Sequence, residues 1–190
     1  AATAPDAGQD AAVTFCSTSG VIDLFTQLGG TPQTGGTWTD ASGLPVGGFF
    51  DTGAGAPGQF TYSVDGGACP TVTAEVDVAV EVAPDAGDDG TITLCSSGGA
   101  FTLIDGLGGA PTAGGIWTDV GGLQVAEVFD PSLQVGGPFT YTVTGSANCP
   151  SDASTLQITV VVAPLAGVDG SLTLCASSPI TSLFDGLGGT

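Results

Sequence analysis

Not one lysine, arginine, histidine or methionine occurs in this chain of 190 residues, and each absence removes a class of chemistry. Without arginine and lysine there is no bidentate phosphate clamp and no Schiff-base amine. Without histidine there is no imidazole base and no nitrogen ligand for zinc. Carboxylates, hydroxyls, thiols and amides are what remain, and they do not make an enzyme here. The 19 acidic residues are balanced by nothing, so the formal net charge is −19. Phosphate backbones are bound by cationic side chains that displace counterions, so nucleic acid is excluded as a partner. Long apolar runs are missing too. The best candidate, Leu156 to Pro164, is broken by Gln157 and Thr159 and falls far short of the roughly 20 residues that span a bilayer, so no membrane insertion is expected. No initiator Met and no basic, apolar leader opens the sequence, which reads as mature or internal with any targeting signal outside it. Trypsin has no cleavage site anywhere in the chain, consistent with a life among proteases.

What is present is a repeat. Ala4-Pro5-Asp6-Ala7-Gly8 returns as Ala83-Pro84-Asp85-Ala86-Gly87 and as Ala163-Pro164-Leu165-Ala166-Gly167, a period of about 80 residues. Cys16, Cys95 and Cys175 keep the period, as do Leu28-Gly29-Gly30, Leu107-Gly108-Gly109 and Leu187-Gly188-Gly189. The spacings from cysteine to Trp38 or Trp117, and from each Trp to Phe60 or Phe139, are all 22 residues. The single length change falls between Asp65-Gly66-Gly67-Ala68 and Gly145-Ser146-Ala147-Asn148, read as a surface turn absorbing one residue. The chain therefore divides into repeat 1 (1–82), repeat 2 (83–162) and the start of a truncated repeat 3 (163–190).

Each repeat reads as all-β. Val76, Val78, Val80 and Val82 alternate with Asp77, Ala79 and Glu81; Phe60, Tyr62 and Val64 alternate with Thr61 and Ser63; Leu156, Ile158 and Val160 alternate with Gln157 and Thr159. Period two means half-buried strands, and the 33 Gly and 12 Pro punctuate them at short intervals. About seven short strands per repeat predict a two-sheet antiparallel sandwich. Trp38, Trp117, Phe60, Tyr62, Phe139 and Tyr141 are its candidate core aromatics.

Five cysteines give two per complete repeat and one left over. The expected staples are Cys16 with Cys69 and Cys95 with Cys149, each closing a loop of about 54 residues, with Cys175 unpaired. Chain entropy gives each about 4 kcal/mol, and such bonds need an oxidising compartment. A rival pairing, Cys69 with Cys95 and Cys149 with Cys175, would staple neighbouring repeats across the Ala-Pro junction.

The set of Ala-Pro-Asp-Ala-Gly, Thr-Leu-Cys, Leu-Gly-Gly, Gly-Gly-x-Trp-Thr-Asp, Phe-Thr-Tyr-x-Val and a Cys-Pro turn before a Val-rich strand resembles the tandem immunoglobulin-like or PKD-like repeats of giant Bacteroidota cell-surface proteins, including the gliding-motility adhesin type. The resemblance implies tandem immunoglobulin-like β-sandwiches, export by the type IX route, an extracellular or cell-surface location, and long filaments that contact surfaces and polysaccharides. Its expected partners are neighbouring repeats of the same chain and other copies in a filament. Cys69 and Cys149 follow the Phe-Thr-Tyr strand, so the likeness to antibody domains is architectural only.

Three rival readings attach to particular residues. Unpaired carboxylates suit Ca²⁺, and Asp10, Asp89 and Asp169 recur in every copy, as do Asp40/Asp119 and Asp51/Asp130 in the complete ones. Against calcium, Asp6 and Asp85 become Leu165, and no D-x-[DN]-x-[DN]-G loop exists. No cofactor is therefore expected, and the recurring Asp residues read better as turn caps. Asp40 with Asp51, or Asp119 with Asp130, could be built into a glycosidase pair, but catalytic clefts are rarely duplicated along an array. A lectin would show exposed aromatics, whereas both Trp and both Tyr fall at core positions. The favoured reading is a rigid spacer: β units joined by short Ala-Pro junctions.

Overall fold

The structure is a computed structural model that describes residues 4–187. The outer ends of the ranges 1–82 and 163–190, and the Gly188-Gly189 of the third Leu-Gly-Gly, lie outside the described residues.

The first copy runs β1 (Ala11–Cys16), β2 (Val21–Asp23), a 3-10 turn at Leu24–Gln27, β3 (Thr37–Asp40), β4 (Pro45–Val46), β5 (Phe49–Asp51), β6 (Gly58–Val64) and β7 (Val72–Glu81). The second runs β8 (Gly90–Cys95), β9 (Phe101–Thr102), a 3-10 turn at Leu103–Gly106, β10 (Ile116–Thr118), β11 (Val128–Phe129), β12 (Gly137–Val143) and β13 (Asp152–Val161). In the first copy a sheet of order β1-β7-β6-β3-β4 faces the β2-β5 pair; in the second, β10-β12-β13-β8 faces β9-β11. The architecture is all-β and immunoglobulin-like.

Alternation places the core. β6 buries Phe60, Tyr62 and Val64, β7 buries Ala74, Val76 and Val78, and the residues between them face outward. β12 and β13 do the same with Phe139, Tyr141, Val143, Leu156 and Ile158. Trp38 and Trp117 are buried, each 5.0 Å from the ring of Tyr62 or Tyr141. Val82, the last residue of the alternating run, lies beyond β7 and is exposed. The buried apolar residues form two separate clusters, one from Ala7 to Val78 and one from Ala86 to Ile158.

One ladder in each copy departs from the antiparallel expectation. β1 runs parallel to β7, Ala11 opposite Val76 through Cys16 opposite Glu81, and β8 runs parallel to β13. The alternation of apolar residues is the same in parallel and antiparallel strands, so it carries no information on direction. The consequence is that the chain comes into each sandwich at one end and leaves at the other.

The repeated motifs are places where distant segments meet. Asp6 accepts a bond from the Gly8 N–H at 2.8 Å, closing an Asx turn, and Gln9 then exchanges two backbone bonds with Gly29 of Leu-Gly-Gly at 2.9 and 3.0 Å. Gly8 has φ +88° and a side chain there would stand 2.7 Å from the Gly29 oxygen, which excludes any other residue. Asp85, Gly87, Asp88 and Gly108 repeat the arrangement. Similarly, the Tyr62 hydroxyl donates to the Gln33 carbonyl at 2.7 Å and accepts from the Gly36 N–H at 2.8 Å, as Tyr141 does with Thr112 and Gly115. This is why Gly-Gly-x-Trp travels with Phe-Thr-Tyr.

In the third copy the 3-10 turn recurs at Leu183–Gly186, but Leu183 is 81% exposed where its counterparts Leu24 and Leu103 are at 0% and 1%. The strands that cover the turn in the complete copies have no counterpart within 163–187.

Replacing Tyr62 with Phe removes both hydroxyl bonds and leaves the Gln33 carbonyl and Gly36 N–H unpartnered. We expect Tyr62→Phe to destabilise the first copy by about 1–3 kcal/mol, read as a lower urea midpoint in tryptophan emission.

Candidate functional site

Strand direction decides where the sulfurs lie. Cys16 is opposite Glu81 at the end of β7, whereas Cys69 precedes Val72 at its start. A ten-residue strand at about 3.3 Å per residue keeps the two roughly 30 Å apart, well beyond the ~7 Å Cα separation a disulfide tolerates. Cys95, opposite Val161, and Cys149, ahead of Asp152, stand in the same relation along β13. The expected bonds Cys16–Cys69 and Cys95–Cys149 are therefore not made, and neither are the rival pairs Cys69–Cys95 and Cys149–Cys175. The chain instead closes Cys16 to Cys149, with Cα atoms 4.9 Å apart across a sequence separation of 133. Cys69, Cys95 and Cys175 are free thiols.

This bond joins the far end of the first sandwich to the near end of the second, and polar contacts converge on it. The Glu81 carboxylate accepts from the Ser146 hydroxyl and from the Asn148 side-chain amide, the latter at 3.1 Å. The Ser146 hydroxyl oxygen in turn accepts from the Asn148 and Cys149 N–H groups at 3.2 and 3.1 Å, and the Ser146 N–H donates to the Cys149 carbonyl at 2.9 Å. The linker is tied down on both sides. Ser17 donates its N–H to the Glu81 carbonyl at 2.8 Å, and its hydroxyl accepts from the Ala83 N–H at 3.0 Å. Three residues on, the Ala86 N–H donates to Asp152 at 2.7 Å. Pro84 restricts the one stretch left between these anchors. Shallow clefts flank the linker, lined on one side by Thr18, Pro84 and Ser151 and on the other by Val82, Thr112 and Val143.

The Gly145-Ser146-Ala147-Asn148 loop corrects the sequence reading of its extra residue as a passive insertion. It is the part of the second copy that docks on the first. The sequence signals were Ser and Asn in the longer loop where the shorter has Gly and Ala, and a serine directly after Cys16 and Cys95 but not after Cys175.

Four of the recurring carboxylates cap their own turns, and two reach across to the closing strand. Asp40 accepts from the Ser42 and Leu44 N–H groups at 2.9 and 3.0 Å, and Asp119 from Gly121 and Leu123 at 2.8 and 3.0 Å. Asp51 caps Gly53, and Asp130 caps Ser132. Asp10 reaches the Glu75 N–H at 2.9 Å and Asp89 the Thr155 N–H at 2.7 Å, pinning the start of the first strand to the last. Among the described residues no group of three or more His, Cys, Asp or Glu side chains could hold a metal ion. The Ser132 side-chain hydroxyl, then its backbone N–H, hold the Asp130 carboxyl below its usual value, and Ser97 does the same to the Cys95 thiol. Asp40 and Asp51 line one open cleft of about 400 Å³ together with Phe49 and Phe60. The carboxylate oxygens that cap the turns are already committed to backbone amides. Phe49 is exposed there, while both Trp and both Tyr are buried.

Neither family models nor curated protein sequences match this chain. Among solved structures it is similar to the titin I-band fragment I67–I69, at 14% identity over 85% of this chain and 67% of that one, with a TM-score of 0.43. The insect immune protein hemolin aligns at 13% identity over 82% of this chain and 46% of its own length, TM-score 0.46. A Ca²⁺-stabilised adhesin that helps an Antarctic bacterium reach out and bind ice aligns at 16% identity over 88% of this chain and 52% of its own, TM-score 0.30. The chain thus spans about half the length of hemolin and of that adhesin. Among the described residues no helix is long and apolar enough to cross a membrane.

Alkylation of the folded chain without reductant is expected to label Cys69, Cys95 and Cys175 and to spare Cys16 and Cys149, as counted by intact mass and peptide mapping. Because the Asp130 carboxyl is depressed in the folded state, its contact with Ser132 contributes above the ordinary carboxylate range and is lost as pH falls through the lowered value. Ser132→Ala should move the Asp130 titration upward, measurable from carboxyl carbon shifts by NMR.

Proposed function

We propose that this chain is a spacer segment of an exported cell-surface adhesin or extracellular filament, built from immunoglobulin-like repeats at 1–82 and 83–162, with a third beginning at 163. The observation that carries the reading is the Cys16–Cys149 bond across the junction between copies. An enzyme cleft or a lectin site has no use for a covalent lock between two sandwiches; a structure whose task is to hold a fixed direction over distance does. Three further features support it. The first and last strands are parallel, so copies stack end to end. The linker is bonded at Ala83 and Ala86. A disulfide persists in oxidising surroundings outside the cytosol, which agrees with the export expected from the Bacteroidota resemblance. The role is non-catalytic. Partners are the adjacent repeats and, in a filament, other copies, with surfaces or polysaccharides contacted at the ends of the array.

Small-angle scattering tests the reading. The oxidised chain should show an elongated profile with a maximum dimension near two sandwiches laid end to end, and the double variant Cys16→Ser, Cys149→Ser should broaden the distance distribution through hinge motion at 82–86. A compact profile for the oxidised chain would refute the spacer.

A further inference from the structure

The bonded pair and two of the free thiols are the same two positions of the repeat. Cys95 is to the second copy what Cys16 is to the first: the last residue of the opening strand, opposite the end of the closing strand. Its surroundings are already those of a bonded cysteine. Ser96 donates its N–H to the Val161 carbonyl at 2.8 Å and accepts from the Ala163 N–H at 3.0 Å, reproducing Ser17, Glu81 and Ala83. The Cys95 sulfur lies 3.2 Å from the Ser97 hydroxyl, as Cys16 lies 3.3 Å from that of Thr18. Cys69 likewise occupies the place of Cys149, in the turn before the closing strand, where its N–H donates to the Gly66 carbonyl at 3.0 Å.

We propose that Cys95 and Cys69 are half-sites of further inter-repeat disulfides. Cys95 bonds the turn cysteine of a repeat placed after residue 163 in the same chain, and Cys69 bonds the opening-strand cysteine of a repeat placed before the first. Each junction of such an array carries one bond, skipping in register from the opening strand of one repeat to the closing turn of the next. Forming each bond oxidises two thiols to one disulfide; their two electrons and two protons pass to a disulfide-class oxidant such as glutathione disulfide, whose own S–S bond breaks to two thiols. The pairing makes two interleaved series: Cys69 and Cys95 belong to one, and Cys16, Cys149 and Cys175 to the other. The junction after Val161 has no carboxylate corresponding to Glu81, so the contacts that Glu81 makes with Ser146 and Asn148 have no counterpart there.

The inference uses the junction geometry and does not depend on the spacer role, so scattering can refute that role while leaving the pairing intact. The test completes the third repeat. Residues 1–190 are followed directly by a second run of 111–162, which continues from Thr190 at the equivalent position and supplies a second copy of the turn cysteine. With Ala147→Gly in the added run to give its cysteine peptide a distinct mass, non-reducing peptide mapping after refolding with glutathione disulfide should show Cys16–Cys149 retained, Cys95 bonded to the added cysteine, and Cys69 and Cys175 still alkylated. A second chain, 1–162 followed by 83–162, places beyond the junction a repeat that has its own buried core, and should give the same bond. A bond from Cys175 to the added cysteine in the first chain, or a Cys95 that stays alkylated in both, overturns the proposal.

Discussion

The parallel ladder between the opening and closing strands governs what the rest of the molecule can do. Had β1 met β7 antiparallel, the chain would leave each sandwich beside the point where it came in, and the next copy would fold back alongside. Because the two strands run the same way, each copy has two poles, with one cysteine at each. Within a copy the two cysteines lie at opposite ends of the closing strand. They come together only where the far pole of one sandwich meets the near pole of the next. The disulfide thus stabilises a relationship between folds and leaves each fold to its own core. Loop closure over a separation of 133 residues is worth about 5 kcal/mol in the chain-entropy picture. That benefit is realised when both copies unfold together, so the bond couples two units that have separate cores.

Electrostatics fits the same plan. A chain with 19 carboxylates and no internal cation would be self-repelling if those charges were gathered in one place. They are spread along it, and many are committed to turn amides, where they order the loops between short strands. The remainder sit on outward positions such as Glu75 and Asp77 of β7, so copies carrying the same charge resist edge-to-edge pairing. Glu81 is put to a different use, as the acceptor between two sandwiches.

The strands and the core aromatics were legible in the sequence because burial on one face of a strand writes a period of two, as in Phe60-Thr61-Tyr62-Ser63-Val64. Strand direction was not legible, since that period is the same in either sense, and the disulfide pairing failed with it: Cys16 and Cys69 look like partners until β1 is known to run with β7. Asp40, Asp51, Asp119 and Asp130 could be read as caps because a glycine or serine follows within a few residues. Asp10 and Asp89 are not turn caps: they bond the closing strand 65 and 66 residues away, a contact that local sequence does not announce. The docking loop was misread because an insertion of one residue looks the same whether the loop meets solvent or a neighbour. Only the polar character of Ser146 and Asn148 hinted otherwise.

The Cys16–Cys149 bond also changes the path of a pulling force. Tension applied at the two ends travels along the backbone to Cys16, crosses the sulfurs and resumes at Cys149. Everything from β2 through β12 hangs in a side loop that bears no load. A separation of 133 residues at about 3.5 Å each is roughly 450 Å of chain that stretching cannot release while the bond is intact. While the bond holds, stretching can lengthen only the segments outside that loop, before Cys16 and after Cys149.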